Sequence, residues 1–155
     1  MTFANITRLP FGINVRTLLE RELPASGFAL TREDRAGIER LLRQHDTKHA
    51  PNPPLLNGLL RHKLRISAPA PRPTPLELVV GGSHVTYKIT GEGARSGVLS
   101  MSPIPLPGQV LVASLLGATL LGMRKLQKAP LLRSDGEISA VVILDVDPPR
   151  ADDAA

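Results

Sequence analysis

Residues 76–89 read LELVVGGSHVTYKI, and the period of the chain changes there. Val85, Tyr87 and Ile89 alternate with polar residues, the two-residue period of a half-buried strand. Gly81-Gly82 reads as a turn between the short run Val79-Val80 and that strand. Working outward, Gly91 to Gly93 turns the chain and 97–101 is a second strand candidate. Pro103, Pro105, Pro107 and Gly108 form a loop, and Val110-Leu111-Val112 is a short apolar strand. Ser114 can cap a short helix running through Ala118, Leu120 and Leu121 to Met123, closed by Gly122 or the basic residues after it. Ser134-Asp135-Gly136 is a hairpin signal ahead of a last strand at 138–146, which Pro148 and Pro149 end. Several strands around one short helix make 76–147 an α+β domain of about 70 residues, near the lower size at which a core suffices.

Upstream the period is helical. Thr31 followed by Asp34 approximates a capping box, with Glu33 and Asp34 at the positive end of the helix dipole. Ile38, Leu41 and Leu42 then recur at helical spacing, which predicts a helix over 31–44. Residues 45–52 read as a loop. Asn52 is an N-cap and Pro53 suits the first helical position, where a missing N–H costs nothing. Leu56, Leu59, Leu60 and Leu64 share a face, so 31–66 should be a short antiparallel helical hairpin with its leucines buried. Pro69, Pro71, Pro73 and Pro75 make 67–75 a stiff polyproline spacer. Residues 1–30 read as a partly disordered extension with a helix candidate at 14–23, and 148–155 as a loose tail.

The 155 residues include three Phe, one Tyr and no Trp, so the core must be aliphatic. There is no Cys, which excludes a disulfide framework and thiolate metal sites and fits a reducing cytosol. The net charge of +5 is uneven: 1–75 hold twelve Lys/Arg against six Asp/Glu, while 76–155 hold seven against eight. A basic first half suits an acidic protein surface or weak nucleic-acid contact through residues 32–65, by way of Arg32, Arg35, Arg40, Arg43, Arg61, Lys63 and Arg65. No stacking aromatics interleave these charges, which disfavours single-strand recognition. The run 106–123 is barely long enough to span a membrane and carries Pro107, Gln109 and three Gly, so a strand and a short helix explain it better. No secretory pattern opens the chain. His45 and His49 are four apart, but Pro51 and Pro53 follow and no catalytic Glu lies between them, so no metal site is read there. Nothing cradles a phosphate, and Ser100 and Ser102 lack a His–acid pair.

Three pieces of the second half resemble the C-terminal domain of the transcription factors GreA and GreB and of Rnk, the regulator of nucleoside diphosphate kinase. The opening Val-Val-x-x-Gly-Ser-x-Val-x-Tyr/Phe stands as Val79-Val80-Gly81-Gly82-Ser83-His84-Val85-Thr86-Tyr87. The central strand, turn and helix stand as Val110 through Ser114, Leu115, Leu116 and Gly117 to Gly122. The terminal hairpin stands as Asp135-Gly136 and the strand at 138–146. The short hairpin at 31–66 extends the likeness toward Rnk. The resemblance implies an FKBP-like fold, an antiparallel sheet against one helix, in a bacterial cytoplasmic protein. It also implies RNA polymerase as partner, with contact at the turn Ser114, Leu115 and Gly117.

The departures shape the functional expectation. In GreA and GreB a far longer coiled coil carries acidic residues through the polymerase secondary channel, where they hold Mg²⁺ for transcript cleavage. Here each arm is short, and the loop 45–49 holds a single carboxylate, Asp46, beside Lys48. Leu115 stands where the family usually has Pro, Ala113 where GreB-like proteins carry an acid, and Lys125 to Lys128 where Gly-Asp typically follows the helix. The expectation is therefore a non-enzymatic polymerase-binding regulator with no cofactor, metal, membrane or small-molecule substrate. The alternatives are a nucleic-acid-binding protein and an FKBP-like prolyl isomerase. The second needs an aromatic-lined apolar pocket, and Tyr87 is the only aromatic in the domain.

Overall fold

The computed structural model describes residues 27–150. The helix candidate at 14–23 and the end of the tail lie outside the described residues. The chain runs β1 (Ala29–Leu30), α1 (Arg32–Arg43), α2 (Pro53–Ile66), β2 (Ala68–Pro69), β3 (His84–Ile89), β4 (Ala94–Ser100), β5 (Gln109–Leu111), α3 (Leu115–Leu120), β6 (Lys128–Leu132) and β7 (Ile138–Asp147). It is an α+β fold with a five-stranded sheet in the order β5-β4-β3-β7-β6.

The local signals act as their chemistry requires. Thr31 Oγ1 accepts the N–H of Asp34 at 3.0 Å and starts α1. Asn52 Oδ1 accepts the N–H of Leu55 at 3.4 Å, with Pro53 opening α2. Ser114 Oγ accepts the N–H of Gly117 at 3.0 Å and opens α3. Gly136 takes the positive φ of the β6–β7 turn. In β3, Val85, Tyr87 and Ile89 face the core as the alternation predicts.

The sheet is not wholly antiparallel. β5 runs parallel to β4, with Val98 opposite Gln109 and Ser100 opposite Leu111. The proline-rich loop 101–108 carries the chain back far enough for three residues to pair in the direction of β4. By sequence Leu131 and Leu132 only lead into the 134–136 turn, whereas in the structure they end β6, which also contains Pro130. Pro130 is exposed on an edge strand, where its missing N–H faces no partner. Val79-Val80 is not a strand of the sheet. The N–H of Val79 bonds Met123 O at 2.8 Å, and the N–H of Gly122 bonds Val79 O at 2.9 Å, so this segment clasps the end of α3. α3 accordingly stops at Leu120, short of Met123, and Gly122 turns away at φ +84°.

Residues 67–75 are more than a spacer. Ala68 and Pro69 form β2, a parallel partner of β1. Ala29 and Leu30, at the end of the stretch read as an extension, are buried, and the N–H of Ala29 bonds Gly122 O at 3.1 Å.

The helical hairpin lies against the sheet domain. Ile38 and Leu41 of α1 and Leu56 and Leu60 of α2 are fully buried in one cluster with Val79, Val112, Leu120, Leu121 and Ile143. Gly37 lets α1 approach closely, since a Cβ there would stand 2.8 Å from Met101 Sδ. At the tip, Asn52 Nδ2 donates to Ser134 O at 3.2 Å, so the loop end of the hairpin meets the β6–β7 turn.

Candidate functional site

The turn Ser114 to Gly117 joins β5 to α3. Ser114 Oγ donates to Leu111 O at 2.6 Å while accepting from the N–H of Gly117 at 3.0 Å, so one hydroxyl ties the end of β5 to the first turn of α3. Gly117 is buried, and a Cβ built on it would lie 1.8 Å from Leu111 O. Of the three residues that the family resemblance implies for a partner contact, Ser114 and Gly117 build the turn. Leu115, half-buried and packed against the rim of the core, is the one that offers apolar surface.

The opposite feature is the hairpin loop. At 1.5 Å per residue the twelve residues of α1 span about 18 Å and the fourteen of α2 about 21 Å. Asp46 is half-buried and its N–H bonds Leu41 O at 3.0 Å. Thr47 is buried and its hydroxyl bonds Asn57 Oδ1. His45 and His49 sit in this loop as exposed residues. Among the described residues no group of three His, Asp or Glu is placed to hold a metal ion.

Two charged residues that sequence reasoning assigned to the surface clamp the hairpin to the domain. Lys63 belongs by sequence to the basic set of 32–65 that could contact nucleic acid. It is buried, its Nζ donates to Thr119 O at 3.0 Å and Leu121 O at 2.9 Å, and it lies 3.4 Å from the centre of the Phe28 ring. Burial pushes its pKa well below 10.5. Asp34 was read as a helix-end charge. It is buried too, and its carboxylate accepts the N–H of Gly81 at 3.1 and 3.2 Å. Burial raises its pKa, while the bonds from Gly81 and Thr31 oppose the shift. Arg35 also leaves the proposed basic face, since it donates to Leu64 O at 2.9 Å and Ser67 O at 3.2 Å at the end of α2. The spacing held the clue: Asp34 precedes Ile38 by four and Leu41 by seven, and Lys63 follows Leu60 by three and Leu56 by seven. Both lie on the buried stripes of their helices.

The cleft between α1 and β4, about 620 Å³, is lined by Glu33, Asp34, Gly81, Met101, Pro107 and Gln109 among others, with no aromatic ring. Tyr87 is in the core and Phe28 lies beside Lys63. Among the described residues, no helix is long and apolar enough to cross a membrane.

The fold is similar to that of solved GreA/GreB-type transcription elongation factors. A GreA/GreB elongation factor from Nitrosomonas europaea superposes with a TM-score of 0.54 at 18% identity, over 78% of this chain and 99% of that one. The GreA factor homolog 1 of Thermus thermophilus is similar over 78% of this chain and 99% of that one, with a TM-score of 0.37 and 17% identity. No family model and no curated protein matches the sequence.

Proposed function

We propose that the chain is a non-enzymatic, RNA polymerase-binding transcription regulator of the Rnk and Gre-like kind, acting in the bacterial cytoplasm. It docks near the secondary-channel entrance without stimulating transcript cleavage. The observation that carries this reading is the hairpin. A domain with the elongation-factor fold bears two helices of about 18 and 21 Å whose apolar faces are buried in that same domain. Such a hairpin has little reach, and its loop has one carboxylate, Asp46, with Lys48 two residues on. A Mg²⁺ site is typically built with carboxylates free to face the ion. The lack of aromatic lining in the α1–β4 cleft speaks against prolyl isomerisation, which needs an apolar pocket around the X-Pro amide.

The docking body is then the sheet domain, with Leu115 at the contact. Leu115→Asp should weaken binding to core polymerase about tenfold or more, because an unpartnered charge desolvated in an interface costs above 1.4 kcal/mol. Binding can be followed by surface plasmon resonance, with the thermal midpoint recorded in parallel. Undiminished affinity in a folded Leu115→Asp variant would remove this turn from the interface.

A further inference from the structure

A second open cleft, about 390 Å³, lies at the base of the hairpin and is lined by Arg32, Arg35 and Arg72 with Glu33 as its one acid. We propose that this cleft binds a small phosphorylated metabolite through a pair of adjacent phosphates. The proposal is independent of the polymerase reading.

Charge is the first argument. Three arginines and one glutamate line the cleft, and no ion pair among the described residues involves Arg32, Arg35 or Arg72. Like charges held together repel unless an anion joins them. Arg35 does not lose its charge to its partners, since Leu64 O and Ser67 O are neutral carbonyls that take only two of its five N–H donors. They fix its guanidinium in the wall instead.

Rigidity is the second argument. The opposite wall is Pro69, Ala70 and Pro71, held by the β1–β2 pairing and by the N–H of Ala70 on Leu30 O at 2.9 Å. Proline fixes φ, so this wall is preorganised, which lowers the ordering cost of binding.

Size and geometry select the ligand. The volume falls within the roughly 300–1,000 Å³ typical of small-molecule sites. Arginine forks match phosphate oxygens two at a time, and a site net positive by two suits a multiply charged group rather than one carboxylate. A concave site of this size suits a compact terminal pyrophosphate better than a duplex, whose phosphates are spread along a track.

The test is titration calorimetry of the full chain with inorganic pyrophosphate, at physiological salt, with a 20-base-pair duplex as a separate titrant. Saturable one-to-one binding of pyrophosphate is expected, weakened tenfold or more by Arg72→Gln and by Arg32→Gln. Both side chains are exposed, so neither change should move the thermal midpoint. The paired change Arg40→Gln and Arg43→Gln, at the far end of α1, should leave affinity within twofold. Absence of saturable pyrophosphate binding would overturn the proposal. So would equal losses in the Arg40/Arg43 variant, which would mean diffuse charge. Preferential binding of the duplex through Arg32 and Arg72 would also overturn it in favour of nucleic acid.

Discussion

Gly117→Ala should lower the unfolding free energy by about 3 kcal/mol or more, at the upper end of what overpacking costs in a well-packed core. The added methyl carbon would stand 1.8 Å from Leu111 O and 2.5 Å from its carbonyl carbon. Neither is the end of a flexible side chain, so β5 and α3 must separate. That separation also breaks the Ser114 hydroxyl bridge between them. Gly58 provides the contrast, since nothing lies within 4 Å of a Cβ built there and it sits in α2. Gly58→Ala should stabilise by roughly 0.5–1 kcal/mol through helix propensity alone. Chemical denaturation of the two variants checks both signs. A Gly117→Ala protein as stable as the parent would mean that α3 does not sit on β5 as described.

Lys63→Met should cost about 2–4 kcal/mol. Methionine keeps most of the stem but leaves the carbonyls of Thr119 and Leu121 buried without donors, at roughly 1–3 kcal/mol for each unsatisfied group. The pH dependence is a separate signature. Because burial depresses the pKa of Lys63 below 10.5, the unfolded chain binds more protons than the folded one between the depressed value and 10.5. Below that window the full cost of burying the ammonium is present. As pH rises through the window the cost is lost, so the Lys63 contribution makes the protein more stable toward 10.5. The neutral amine keeps two N–H donors for the two carbonyls. Denaturation across this range should show a rise in the parent that is absent in Lys63→Met. Equal slopes in the two proteins would place Lys63 in solvent.

What was legible in the sequence is what short-range chemistry decides. Thr31, Asn52 and Ser114 each cap the helix that follows them, because a cap involves residues three apart. The alternation at Val85, Tyr87 and Ile89 declares its strand for the same reason. The parallel β5 and the β1–β2 pair were not legible, since each depends on segments brought together across a loop or a whole hairpin. Lys63 and Asp34 misled for a different reason. Charge is normally evidence of exposure, and only their registration with Leu60 and Ile38 pointed inward. At the turn, Ser114, Leu115 and Gly117 came from family likeness, and the geometry assigns two of them a folding role.

Transcript cleavage in backtracked polymerase complexes tests most directly the proposed docking without a catalytic arm. The protein should co-elute with core polymerase, add no cleavage of its own, and reduce cleavage stimulated by a GreA-type factor as its concentration rises. Robust Mg²⁺-dependent cleavage by the protein alone, or failure to bind polymerase even at low salt, would contradict it.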